Sequence, residues 1–216
     1  NVSAKIINAF FVINDGIKNS NSIFDDSHVI TMTALEKNVE QDRGKYQPLL
    51  DVAKDVAQIS KEFNAYVESV RTEMVDATEG YYPADDRDHA NYPKGYKNKD
   101  ITTRILVDQK RGDELEKRIL ADRDRILSRI KTLSGLPGTQ INETSIEELS
   151  KSISLNISES WKKDKIAKSW SEFTFKQMPL AAVFPLLTQM QNDMKSSESA
   201  VINFLVNQVG LTSFKV

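Results

Sequence analysis

From residue 49 onward, apolar side chains return every three or four positions: Leu49, Val52, Val56, Ile59, Phe63, Tyr66, Val70 and Met74. That period puts them on one face of a helix. Lys54, Asp55, Lys61, Glu62, Glu68 and Arg71 fall on the other side. The pattern predicts a helix over 45–78, about 50 Å long if unbroken at 1.5 Å per residue. A seam of that length needs partner helices, in an antiparallel bundle or a coiled-coil-like pair.

Other segments carry the helical period less evenly. Ile6, Phe10, Ile13 and Ile17 are spaced by four, three and four, which predicts a first helix with these residues on one face and Gly16 weakening its end. A second helix is expected over 22–39, followed by a break over 42–46 that contains Gly44. Leu115, Ile119, Ile126, Ile130 and Leu133 mark a helix over 113–133, its stripe widened by Leu120 and Leu127. Val183, Leu187, Met190, Met194, Val201 and Leu205 mark a last helix from near Pro179 to Val209, with Ser197 in one seam position. Pro185 is expected to kink or delay that helix, and Gly210 to stop it. Ser145 and Glu148 have capping-box spacing and predict a short helix to Ile153. The segment 157–173, with Trp161 and Trp170, is expected to be helical, and 101–107 to be a short helix or a strand-like piece. The expected fold class is therefore all-α, a multi-helix bundle with long antiparallel helices, in a single domain over 1–216.

Composition narrows the function classes. The 216 residues include only 8 Gly and 6 Pro, too few for the turns of a β-sandwich or barrel. There is no cysteine, which excludes disulfides, zinc–thiolate sites, Fe–S clusters and thiol nucleophiles. A formal net charge of -2 gives no reason to expect a nucleic-acid partner. No stretch is long and apolar enough to span a membrane. The chain begins at Asn1 rather than Met, so it is expected to be a piece of a longer protein.

Candidate chemistry is sparse. His28 lies near Asp25 and Asp26, and His89 near Asp85, Asp86 and Asp88. Imidazole and carboxylate can share a metal, but neither site has a second histidine at helical spacing, so a solvated polar loop is the expectation at both. No nucleophile elbow, dinucleotide fingerprint or phosphate loop is present, and no enzymatic activity, cofactor or metal is expected. The segment 80–100 is a long loop with Tyr81, Tyr82, Tyr92 and Tyr96, and Lys94, Lys97 and Lys99 alternate with its later tyrosines. Its tyrosines are expected to pack back onto the bundle. The rival reading is a binding module that captures glycan or peptide with the tyrosine-rich stretch 81–96. The helix around Phe10, Phe11 and Val12 is apolar on more than one face, which suggests a second contact surface.

The run Trp170-Ser-Glu-Phe-Thr-Phe-Lys-Gln-Met-Pro-Leu-Ala-Ala-Val183 closely resembles the N-terminal periplasmic domain of the gliding-motility family GldM, called PorM in related bacteria. Leu187, Gln191-Asn192-Asp193, Glu198, Asn203 and Leu205 fit the same pattern, as do Asn1-Val2-Ser3 and Asn8-Ala9-Phe10. Ile101-Thr-Thr-Arg104 and Gly112-Asp-Glu-Leu115 add weaker support. The resemblance implies a structural, force-transmitting component of the type IX secretion system and gliding motor. It implies a helical periplasmic domain of a homodimeric, inner-membrane-anchored protein. A transmembrane helix absent from this chain would pair with GldL (PorL) in a proton-driven motor, and later domains would reach the outer-membrane GldK–GldN (PorK–PorN) complex. On that view Ile6, Phe10 and Ile13 are candidates for the membrane junction or the dimer contact. Trp170, Phe173, Phe175 and Pro179 are candidates for docking the last helix.

Overall fold

A computed structural model describes residues 3–213, with side chains through Val209; Asn1 and Val2 of the first quoted motif lie outside that range. The elements are α1 (Ala4–Gln41), α2 (Arg43–Asp76), α3 (Asp100–Thr102), which continues as a π-helical turn (Thr103–Asp108), and α4 (Arg111–Lys131). After these come α5 (Glu143–Lys151), a 3-10 turn (Ser160–Lys163), α6 (Trp170–Phe175) and α7 (Leu180–Ser213). No strand occurs among the described residues, and a lone bridge pairs Tyr81 with Pro93. The fold is the expected all-α bundle.

The residues group into two compact units. Unit 1 holds the chain up to Asn19, Ala65–Ile119 and Ile157–Gln191; unit 2 holds Ser20–Asn64, Leu120–Asn156 and the chain from Asn192. Helices α1, α2, α4 and α7 contribute residues to both. The core of unit 1 comprises Val67, Val70 and Met74 of α2, Leu115 and Ile119 of α4, and Leu180, Val183 and Leu187 of α7. The core of unit 2 comprises Val52, Val56, Ile59 and Phe63 of α2, Ile126 and Ile130 of α4, and Met194, Val201 and Leu205 of α7. The seams of α2, α4 and α7 thus supply core to both units, with Tyr66 and Met190 only half-buried.

Helix direction follows from the pairings. In unit 2, Asn21, Asp25 and His28 of α1 meet Asn192, Lys195 and Glu198 of α7 in the same order, so these two helices run parallel. In unit 1, Arg71 reaches Thr188 while Glu68 reaches Gln191, so α2 and α7 run antiparallel. Glu73 and Tyr66 of α2 meet Arg111 and Glu114 of α4 in the opposite order, so α4 is also antiparallel to α2.

Several local expectations change. The first two predicted helices are one: α1 passes through Gly16 and 18–21 without a break. A Cβ on Gly16 would meet nothing within 4 Å, so this glycine serves no close approach, and it costs a helix only about 1 kcal/mol relative to alanine. The face assigned to α1 also shifts by one position. Ile7, Phe11, Asn14 and Asn21 are buried, whereas Ile6 and Ile13 are exposed and Phe10 and Ile17 are half-buried. The cap of α5 lies three residues earlier than expected. The Asn142 side chain accepts from the Ser145 N–H at 3.0 Å, and the Ser145 hydroxyl accepts from the Asn142 N–H at 3.0 Å.

Segment 157–173 is not a helix. Only Ser160–Lys163 makes a helical turn before α6 begins. Asp164 Oδ2 accepts from the N–H groups of Ile166 and Ala167, at 3.0 and 2.6 Å, so a side chain takes the donors that a helix would use. Helix α7 starts at Leu180 despite Pro185, and it continues past Gly210 to Ser213. Its first N–H groups are capped from outside the helix: Leu180 donates to the Asn98 carbonyl at 3.1 Å and Ala181 to that of Tyr96 at 2.9 Å.

Candidate functional site

The tyrosine-rich segment of unit 1 is a built structure. Glu79 (φ 72°) and Gly80 (φ 81°) take left-handed conformations that turn the chain off α2. The Tyr82 N–H then donates to the Tyr92 carbonyl, and the Lys94 N–H to the Gly80 carbonyl, each at 2.8 Å. Gly95 lies so close to the turn that follows α2 that a Cβ would stand 2.4 Å from Thr78. The His89 ring stacks on Tyr82 at 5.3 Å and on Tyr96 at 5.2 Å, and its Nε2 is 3.1 Å from the Tyr96 hydroxyl. Asp86 Oδ2 accepts from the His89 N–H at 2.8 Å. These groups close a turn, and no cluster of three metal-binding side chains occurs among the described residues.

Tyr92 packs on the bundle, stacked on Phe11 of α1 at 4.0 Å. Tyr81 does not follow it. Its side chain is 49% exposed and meets Phe184 of α7 only in a T-shaped contact at 6.5 Å. Between these aromatics and α2 lies a cavity of about 540 Å³, lined among others by Asn14, Asp15, Glu68, Arg71, Tyr81 and Tyr92.

Arg71 organises the cavity wall. It is buried, its guanidinium 5.3 Å over the Phe184 ring. It donates to the Thr188 hydroxyl at 2.8 Å, to Gln191 Oε1 at 3.3 Å and to Glu68 Oε1. Gln191 also donates to Glu68 Oε1 at 2.9 Å, so both bonds fall on the same carboxylate oxygen. Thr188 donates in turn to Asn14 Oδ1. Burial raises the Tyr81 phenol above its ordinary pKa, opposed by the Arg71 charge, and burial followed by Asp15 raises that of Tyr92.

Unit 2 buries a different polar group. Glu198 of α7 lies against Asp25 and His28 of α1, Ser60 of α2 and Lys195 on its own helix, at a second cavity of about 540 Å³. Burial pushes its carboxyl up to about 7, although Lys195 and a hydrogen bond from Ser60 both pull it down. His28 Nδ1 is 3.8 Å from Glu198 Oε2, beyond hydrogen-bonding length. Burial lowers the His28 pKa below its ordinary value, with Asp25 opposing and Lys195 adding to the shift. The sequence pattern placed Arg71 on the charged outer face of α2, whereas it is buried, and Glu198 appeared only within the family pattern. One clue to each was available, because each charge directly follows a seam position, Val70 or Ser197.

The junction and docking candidates named from the sequence, Ile6, Phe10, Ile13, Trp170, Phe173, Phe175 and Pro179, all fall in unit 1. Ile6 and Ile13 are 49% and 53% exposed, and Phe10 between them is half-buried. Trp170 and Phe175 are buried in a T-shaped pair at 5.4 Å, and Pro179 is buried just ahead of α7. Phe173 points outward and is about half exposed, because Trp170, Ser171 and Phe175 share the inward face of α6. Ser171 anchors that face by donating to the Leu106 carbonyl at 2.8 Å. Gly112 makes room for it, since a Cβ there would stand 2.0 Å from Ser171 Oγ. The two motifs containing Gly112 and Ser171 are therefore one contact.

The described residues form an all-α bundle built on the long helices α1, α2 and α7. The model of the GldM N-terminal domain matches residues 5–208, and the chain belongs to that family. The family is a component of gliding motility and type IX secretion. No match was found among curated proteins. No helix among the described residues is long and apolar enough to cross a membrane.

Proposed function

We propose that this chain is a force-transmitting periplasmic domain of the type IX secretion and gliding apparatus and performs no reaction itself. It links an inner-membrane, proton-driven motor containing GldL (PorL) to the outer-membrane GldK–GldN (PorK–PorN) complex, which later domains of the same protein reach. The observation that carries this reading is the family match over 5–208. Helix length supports it: α1, α2 and α7 have 38, 34 and 34 residues. At 1.5 Å per residue α1 is about 57 Å long, and a hydrogen-bonded helix passes displacement along its axis with little slack.

The first turns of α1 are the junction with the membrane helix and a contact for a second copy of the protein. Ile6 and Ile13 support this assignment, being large, apolar, exposed and seven residues apart, the spacing of a coiled-coil position. Their exposure also makes the test clean, because charging them leaves the core alone. Ile6→Asp with Ile13→Asp in the full-length membrane protein is expected to abolish dimer cross-linking and secretion. The circular dichroism of the isolated domain should stay unchanged. Retention of both the dimer and secretion would refute the assignment.

A further inference from the structure

We infer that the aromatic cavity of unit 1 is a binding site for a neutral saccharide, with Tyr81 as its stacking platform. A sugar ring needs two things from a protein. Its C–H-rich face packs on the electron-rich face of an aromatic ring, and its hydroxyls need acceptors and donors that are already oriented. The cavity supplies both. Tyr81 lines it half exposed, and no aromatic ring is stacked on it among the described residues. Its backbone is fixed by the left-handed pair Glu79 and Gly80 and by the bridge to Pro93. The platform is therefore preorganised, which lowers the entropy cost of binding.

The polar groups are oriented as well. Arg71 and Gln191 both engage Glu68 Oε1, which leaves Oε2 to accept from a ligand hydroxyl. Asn14, whose oxygen lies against the Thr188 hydroxyl, adds a side-chain amide to the cavity lining. A carboxylate and a side-chain amide lining one cavity suit the hydroxyls of a pyranose. The volume of about 540 Å³ lies within the usual range of small-molecule sites.

Charge separates this ligand from the alternatives. Asp15 and Glu68 are balanced by Lys18 and Arg71 around the cavity. A phosphate would meet two carboxylates, and a cationic side chain would meet an immobile guanidinium. An extended peptide would need a ladder of backbone partners, and the segment offers a single bridge. A neutral, hydroxyl-rich ring meets none of these penalties. This inference is independent of the proposed function, which a failed titration would leave intact.

The test is an NMR titration of the whole 216-residue chain, labelled with 15N, against cellotriose and chitotriose, with trialanine as the peptide arm. Saturable amide shifts at Tyr81, Asn91 and Tyr92 are expected with at least one trisaccharide at a Kd of about 1 mM or tighter. Binding of one sugar alone would support the site and identify whether it selects an N-acetyl group. Tyr81→Ala should weaken binding at least about tenfold, while Tyr81→Phe, which keeps the ring, should bind within about threefold of the native chain. Glu68→Gln, at a more exposed position, should weaken binding without loss of fold, so the inference does not hang on one variant. It is overturned if neither sugar gives saturable shifts up to about 10 mM, if Tyr81→Ala binds as the native chain does, or if trialanine binds at these amides and the sugars do not.

Discussion

The two units each bury a charge beside α7, and they stabilise it in opposite ways. In unit 1 the charge is Arg71, and it is surrounded by oxygen acceptors: Thr188, Gln191 and Glu68, with the Phe184 ring beneath. A guanidinium cannot give up its proton within the ordinary pH range, so the only way to bury it is to satisfy it. In unit 2 the charge is Glu198, and burial outweighs the help it receives from Lys195 and Ser60. A carboxyl has the other way out: it takes up a proton and becomes neutral. Unit 1 therefore holds a permanent charge network, and unit 2 holds a group whose charge depends on pH.

The largest expected effect comes from breaking the first network. Arg71→Met keeps the length of the side chain but leaves the buried Thr188 and Gln191 without their donor. It should destabilise the chain by about 3 kcal/mol in urea unfolding, at every pH where the native protein is folded. A loss below about 1 kcal/mol would mean that the network contributes little.

Glu198→Gln should move the other way, and only at high pH. The folded-state pKa of about 7 lies above the ordinary 4.5, so the folded form binds the proton more tightly. The contribution of Glu198 is therefore full below about pH 4.5 and is lost as the pH rises through about 7. The whole swing is on the order of 3 kcal/mol. Gln keeps the shape and never ionises, so at about pH 8 the variant should exceed the native chain in stability by roughly 1–3 kcal/mol. His28 opposes this trend: its lowered pKa means that its contribution is full above the ordinary 6.5 and is lost as the pH falls. Urea titrations from about pH 5 to about pH 8 separate the two slopes. A native chain whose stability does not fall toward the upper end of that window would contradict the buried, proton-binding Glu198.

A neutral pair in unit 2 sets the lower end of the scale. Asn142 and Ser145 satisfy each other reciprocally at the start of α5. Asn142→Ala should cost about 1 kcal/mol, with no dependence on pH between about 5 and 8. A pH-dependent loss there would show that the slope assigned to Glu198 has another source.

How much of this was legible depended on the element. Helices α2 and α4 each carry one apolar stripe and one charged face, so the period alone found most of their buried apolar residues between Leu49 and Met74 and between Leu115 and Ile130, but not Val67, Arg71 or Asp122. Helix α1 has Ile6, Ile7, Phe10, Phe11, Val12 and Ile13 in adjacent pairs, so two stripes compete. The stripe Ile6, Phe10, Ile13 and Ile17 is only partly covered, because the inward face contains Asn14, Asn21 and His28 and looks polar. The Asp86–His89 and Asp164 turns were illegible for a related reason: a short side chain that takes backbone N–H groups leaves no period to read. The family motif around Trp170 was legible as residues, but not as the contact between Ser171 and the space above Gly112.

The sequence by itself determined the all-α class, the seams of α2, α4 and α7 and the family, because one-dimensional spacing is enough to define an amphipathic face. Tertiary structure alone decided which face of α1 is covered, that α1 and α7 run parallel, and where Arg71 and Glu198 sit. Those outcomes depend on which polar groups find partners on other helices. Such pairings join residues more than a hundred positions apart, as with Arg71 and Thr188, and no local pattern encodes them.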